Sequence, residues 1–325
     1  MQIFGLGLVS WRHIALMNSS KGLLPRHRNR PGKGMSDLYW LMGAASASPA
    51  WHMSLFWLRL AVVLYGVAAL AVLPAALYDR PRWRLVAVPA TVAALLFHFV
   101  SLAEVLAAAH RWVPVNASEV QAVLALLLAA AFLLVVAVYG SLTIGVVLLP
   151  VVFLLGLLPA FSPGSHELAA PLLRSGWITL HILLLLAAYA ALIVCMFSSV
   201  LYLLQEKRLK ARRPATGLLA RIPPLQDLDQ ISLRSLLIGL PCMTGGLLIG
   251  SALAASEYGA VYFRDPKVLL SFAMWLAYVG MIAIRRSAGL RGRRAVWLSS
   301  FVFVVMLAVW SANQVSTVHR FAGRP

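Results

Sequence analysis

His181, in "WITLHILLLLAAY", and His319, in "SANQVSTVHRF", lie far apart in the sequence, yet each stands beside a long apolar run. Between them comes "EYGAVYFRDPK", residues 257–267, which holds four charged residues and three aromatics. Imidazole nitrogens ligate metals, aromatic faces stack on flat ligands, and Lys and Arg meet carboxylates. Such a set suits holding a metal together with a flat, anionic ligand. No constellation for hydrolysis, phosphoryl transfer or redox chemistry is visible, so a catalytic role is not the expectation.

The elements that must position these residues are membrane spans. With 61% hydrophobic and 12% charged residues and a mean hydropathy of +0.85, the 325-residue chain lacks the polar surface of a soluble globule. Runs of about 20 apolar residues, the length that crosses the bilayer core as a helix, fall near 54–77, 85–108, 119–138, 143–160, 176–204, 233–254, 268–285 and 295–313. They lack the alternation of barrel strands, so the expected fold is all-α, a polytopic bundle of about eight transmembrane helices.

The net charge of +18 is set by where Lys and Arg fall. Arg80, Arg82 and Arg84 follow the first run, Lys207 to Arg234 follow the fifth, and Arg285 to Arg294 follow the seventh. Alternate threading puts all three clusters on one side, which the positive-inside rule makes cytoplasmic. Both termini and residues 257–267 then lie outside, as expected of a multi-pass protein of a bacterial inner membrane.

Residues 1–34 form a basic N-terminal extension that conflicts with this placement, whereas 35–52 carry no Lys or Arg. The break favours Met35 as the natural start over a retained disordered tail. Residues 35–325 then form one transmembrane domain with a cytoplasmic connector at 205–232. There, Pro214 and Pro223-Pro224 are followed by Leu225, Leu228 and Ile231, spaced as a short amphipathic helix on the inner surface.

Ionisable residues inside spans are costly and are default functional candidates. Arg59 and Glu104 lie at matching depths in the first two runs, so an ion pair is the expected role; a polar transport path is the rival. His98, near the middle of the second run, either hydrogen-bonds a neighbouring helix or serves a ligand. Cys195 and Cys242 fall inside spans without a Cys-x-x-Cys pair, which sets aside thiol oxidoreductases and c-type cytochromes and leaves packing roles. Gly246-x-x-x-Gly250 offers a small-residue face for helix contact.

Threading brings His181 and His319 to the outer side together with residues 257–267. Two axial imidazoles, an aromatic shelf and cations for propionates are what an iron porphyrin needs, so haem is the expected cofactor.

These residues resemble the cytochrome c assembly membrane proteins that handle haem, the CcsA, CcmC and CcmF group, and most closely its small eight-span HemX-like or YpjD-like branch. "WITLHILLLLAAYAALIVCMFSSVLYLLQEKRLK", "IPPLQDLDQISLRSLLIGLPCMTGGLLIGSALA" and "YGAVYFRDPKVLLSFAMWLAYVGMIAIRRSAGLRGRRA" carry the likeness in order, with a shorter echo in "PVNASE". The family's outer segment reads Trp-Gly-x-x-Trp-x-Trp-Asp-Pro-Lys. Placed on it, Tyr258 and Tyr262 stand at the first two tryptophans, Gly259 at the glycine and Arg264 at the third tryptophan. Asp265, Pro266 and Lys267 complete the motif. The resemblance makes His181 and His319 the outer haem ligands and His98 a match for one membrane histidine, while Ile284 occupies the place of the other.

The implied function is to bind or present haem at the outer face during cytochrome c assembly. Lipid, haem, other assembly proteins and apocytochrome are the implied partners, and nucleic acid is not. The rival reading is a haem-free regulatory or accessory protein on the same fold, tuning haem synthesis or assisting ion transport.

Overall fold

A computed structural model of the chain describes residues 49–77, 81–108, 114, 117–161, 176–210, 222–258, 264–287 and 293–311. Among them are eight helices: α1 (Pro49–Leu77), α2 (Pro81–Ala108), α3 (Ala117–Tyr139), α4 (Gly145–Phe161), α5 (Gly176–Lys210), α6 (Leu225–Tyr258), α7 (Pro266–Ser287) and α8 (Arg293–Ser311). Six are long and apolar enough to cross a membrane, and α4 and α8 supply shorter apolar helices. The protein is thus a polytopic membrane helix bundle. Each expected run coincides with one helix, because in hydrocarbon only the helix satisfies every backbone group within the segment.

The ends follow local chemistry. Gly140 closes α3 at φ +66, returning its N–H to the Val136 carbonyl at 2.9 Å. Glycine adopts this left-handed geometry without the steric penalty of a side chain. The carbonyl of Pro224 accepts the first bonds of α6, from Asp227 at 3.0 Å and Leu228 at 3.2 Å.

Small residues let the helices approach. Ala61, Ala68 and Ala71 of α1 and Ala87 and Ala94 of α2 are fully or almost fully buried. Close backbone contact replaces the hydrophobic drive that lipid removes. Leu70, Leu96, Leu154 and Trp297 instead expose large apolar surfaces, suited to acyl chains.

Side-chain bonds fix the directions of α5, α6 and α7. At one end Ser232 of α6 bonds the Cys195 thiol and the Ser199 hydroxyl of α5, each at 3.2 Å, and accepts an N–H of Arg285 of α7 at 2.9 Å. Arg285 also forms an ion pair with Asp229, one turn earlier on α6. At the opposite end, His181 near the start of α5 meets the C-terminal half of α6. The three helices therefore run antiparallel in sequence, with Lys207, Arg208, Lys210, Arg285 and Arg286 in the last turns at the Ser232 end.

The connector departs from expectation. Leu225, Leu228 and Ile231 do not form a separate surface helix; they begin α6, which runs unbroken to Tyr258. Leu228 and Ile231 are buried in the core. Nothing between Ile231 and the apolar run breaks a helix, and Pro223-Pro224 already marks the start, so the amphipathic spacing belongs to the N-terminal end of a long packed helix.

The Arg59 to Glu104 pair is also corrected. Arg59 Nε donates to the Ala160 carbonyl at 3.2 Å, and its guanidinium lies 6.0 Å from the Phe161 ring centre. Glu104 Oε2 is buried with no partner among the described residues. Because α1 packs against α4 as well as α2, Arg59 reaches the unsatisfied carbonyls and negative dipole end of α4.

Candidate functional site

The site is built where the start of α5, the C-terminal half of α6 and the start of α7 converge. His181 lies five residues into α5, about 7.5 Å along its axis. Its Nδ1 is 2.6 Å from the carbonyl oxygen of Gly246 on α6. A carbonyl only accepts, so Nδ1 carries the proton and the lone pair of the neutral ring resides on Nε2. One turn on, the backbone of Gly250 lies directly against the same ring.

Asp265 and Pro266 open α7. Asp265 is 3% exposed, and its Oδ1 accepts the backbone N–H of Lys267 at 2.9 Å while its carbonyl accepts that of Leu269 at 3.1 Å. Aspartate at the N-cap and proline at the first helical position is the favoured pairing, since proline lacks an N–H that would go unsatisfied there. The Asp-Pro-Lys triplet is therefore a helix start that fixes where Lys267 projects. The Lys267 ammonium is close enough to act electrostatically on the His181 ring. Arg264, just before the cap, is exposed.

Of the expected site residues, His181 and Lys267 lie within electrostatic reach of each other, and Arg264 and Asp265 directly precede Lys267 in the chain. Tyr258 is the last residue of α6. Gly259, Tyr262 and His319 lie outside the described residues. His98 is placed apart, in the α1–α2 pair: it is 1% exposed, its Nδ1 is 3.4 Å from the Tyr65 hydroxyl, and its Nε2 is buried without a partner among the described residues. The neighbour-helix hydrogen bond expected for His98 is present on that one nitrogen.

Sequence reasoning missed that the Gly246-x-x-x-Gly250 face receives His181. It also missed the link between α7 and α6 in which Trp275 Nε1 donates to Thr244 Oγ1 at 2.9 Å and Thr244 donates to the Leu240 carbonyl at 2.8 Å. The glycine spacing was the available signal, but spacing within one helix does not name the residue on the other.

Comparison with known proteins gives the family. Residues 85–319, well over half of the chain, match the family model described as cytochrome C assembly protein. The chain is 34% identical over 188 residues to the cytochrome c biogenesis protein CcsA of Prochlorococcus marinus (strain MIT 9301), covering 52% of this chain and 60% of that protein. It is 32% identical over 163 residues to an uncharacterized 28.8 kDa protein of Azospirillum brasilense, covering 49% and 59%. The chain therefore spans about 60% of the length of these curated relatives. The matched residues include all of α3 to α8, with His181, Lys267 and the glycine face between them. On that extent of match, the chain belongs to the cytochrome c assembly protein family.

Proposed function

We propose that the protein serves cytochrome c assembly by holding haem at the outer face of a bacterial inner membrane. In this reading His181 and His319 would hold the haem iron, and Tyr258, Gly259, Tyr262, Arg264, Asp265 and Lys267 would form the segment around the porphyrin. The observation that carries it is the seating of His181 Nδ1 against the Gly246 carbonyl, which leaves Nε2 for a metal, at the end of the bundle opposite the basic last turns of α5 and α7.

When bound, haem supplies an iron with axial positions for nitrogen and a planar ring bearing carboxylates. The residues present fit that group. His181 holds its proton on Nδ1 against Gly246, which leaves Nε2 free to donate. Lys267, oriented by the Asp265 cap, supplies a cation beside the imidazole, and exposed Arg264 offers a second that can meet a carboxylate in bidentate fashion. Partners of the same reading are other assembly proteins or an apocytochrome. His98 remains a separate candidate ligand within the membrane.

The test is the visible spectrum of protein purified from haem-replete cells. The wild type is expected to show a Soret band, and His181→Ala and His319→Ala to lose most of it. Full occupancy in both variants overturns the ligand assignment. A wild type without haem in any preparation favours a haem-free accessory protein on the same fold.

A further inference from the structure

We infer that Gly246 and Gly250 are positioning residues for His181: the first takes the Nδ1 proton on its carbonyl, the second vacates the space the ring fills, and together they present Nε2 as the ligating nitrogen. The functional consequence rests on the haem reading above; the contact itself does not.

Two helices meet here in register. Gly246 and Gly250 are four apart on α6, and His181 and Leu185 are four apart on α5, so each pair occupies one face of its helix. A Cβ at Gly246 would come within 2.7 and 2.9 Å of the Leu185 side chain. A Cβ at Gly250 would overlap His181 Cε1, at 2.6 Å from Nδ1 and 3.2 Å from Nε2. Real Cβ atoms do not approach that closely, so any side chain at 250 displaces the imidazole. The ring has no cheap way to yield, because swinging aside breaks the 2.6 Å bond to Gly246 and buries an unsatisfied N–H.

The chemistry follows from that lock. A neutral imidazole carries one proton, and the carbonyl claims it at Nδ1. A backbone acceptor cannot be removed by changing a side chain, and it fixes both the tautomer and the ring plane, as the outer partners of metal-bound histidines commonly do. The absence of a side chain at both positions lets the α5 ring reach the carbonyl at all. Gly245, on the adjoining face, would meet only Leu184 at 3.2 Å, and Gly280 of α7 faces open space. Gly239, two turns before Gly246 on α6, is closed by Tyr278 instead, so of these positions Gly250 is the one at which a side chain would collide with the His181 ring.

The experiment uses the full chain in detergent. Gly250→Ala is expected to lose at least tenfold in haem occupancy at a temperature where the variant is still folded, and Gly280→Ala to match wild type. Free imidazole is expected to restore the haem spectrum to His181→Ala but not to His181→Ala/Gly250→Ala, since the new methyl occupies the ring's place. A purely packing role would lower the melting temperature without changing haem affinity or imidazole rescue, and that result overturns the inference. Melting of haem-free protein separates the two readings. Gly250→Ala lowers the melting temperature in the wild-type background and not in His181→Ala, whether or not wild type takes up haem. Equal effects in both backgrounds reject the contact.

Discussion

At the scale of residues, partner choice was decided by what each helix packs against. Arg59 and Glu104 have matching depths on consecutive helices, which made an ion pair the natural expectation, yet Arg59 bonds the Ala160 carbonyl instead. A double-mutant cycle on Arg59→Ala and Glu104→Gln should therefore give a coupling below about 0.5 kcal/mol, the usual value for independent sites. A coupling near 1 kcal/mol in thermal melts would reinstate the pair. Asp265, placed among the site residues by the family motif, also has a structural role, since its carboxylate caps α7.

At the scale of helices, the apolar runs were legible because a membrane span must be continuous and about 20 residues long. The reach of α6 was not. Its first two turns read as a surface segment from the spacing of Leu225, Leu228 and Ile231 after the prolines, but they are clamped to α5 and α7 by the Arg285, Asp229 and Ser232 network. The Arg285 side chain is only 6% exposed, and Asp229 supplies the opposite charge beside it. Arg285→Ala leaves a half-buried carboxylate unpaired and is expected to destabilise the bundle by about 3 kcal/mol or more. The double variant Arg285→Ala/Asp229→Ala should lose less than the sum of the single losses, measured as melting in detergent. Additive losses would show that the two residues act independently.

At the scale of the whole molecule, the distribution of charge predicts the orientation. Lys207, Arg208, Lys210, Arg285 and Arg286 gather at one end of the antiparallel α5–α7 group, and Arg264 and His181 lie toward the other. A membrane-impermeant thiol reagent applied to spheroplasts should modify Arg264→Cys and spare Lys210→Cys, both positions being exposed. The reverse pattern would move the candidate site to the cytoplasmic side. Cys195 is buried and Cys242 lies within α6, so they set the unmodified baseline. The sequence by itself determined the membrane class and the eight apolar runs that coincide with the helices of the described residues. Hydrocarbon enforces helix length, and the asymmetry of Lys and Arg enforces direction, and both are written locally along the chain. Only the tertiary structure decided which residue seats His181. That choice depends on the relative height and rotation of α5 and α6, which bring a ring nitrogen 2.6 Å from one carbonyl among many and place Gly250 under the ring. Pairing across helices is a property of two surfaces at once, and no spacing within either helix encodes it.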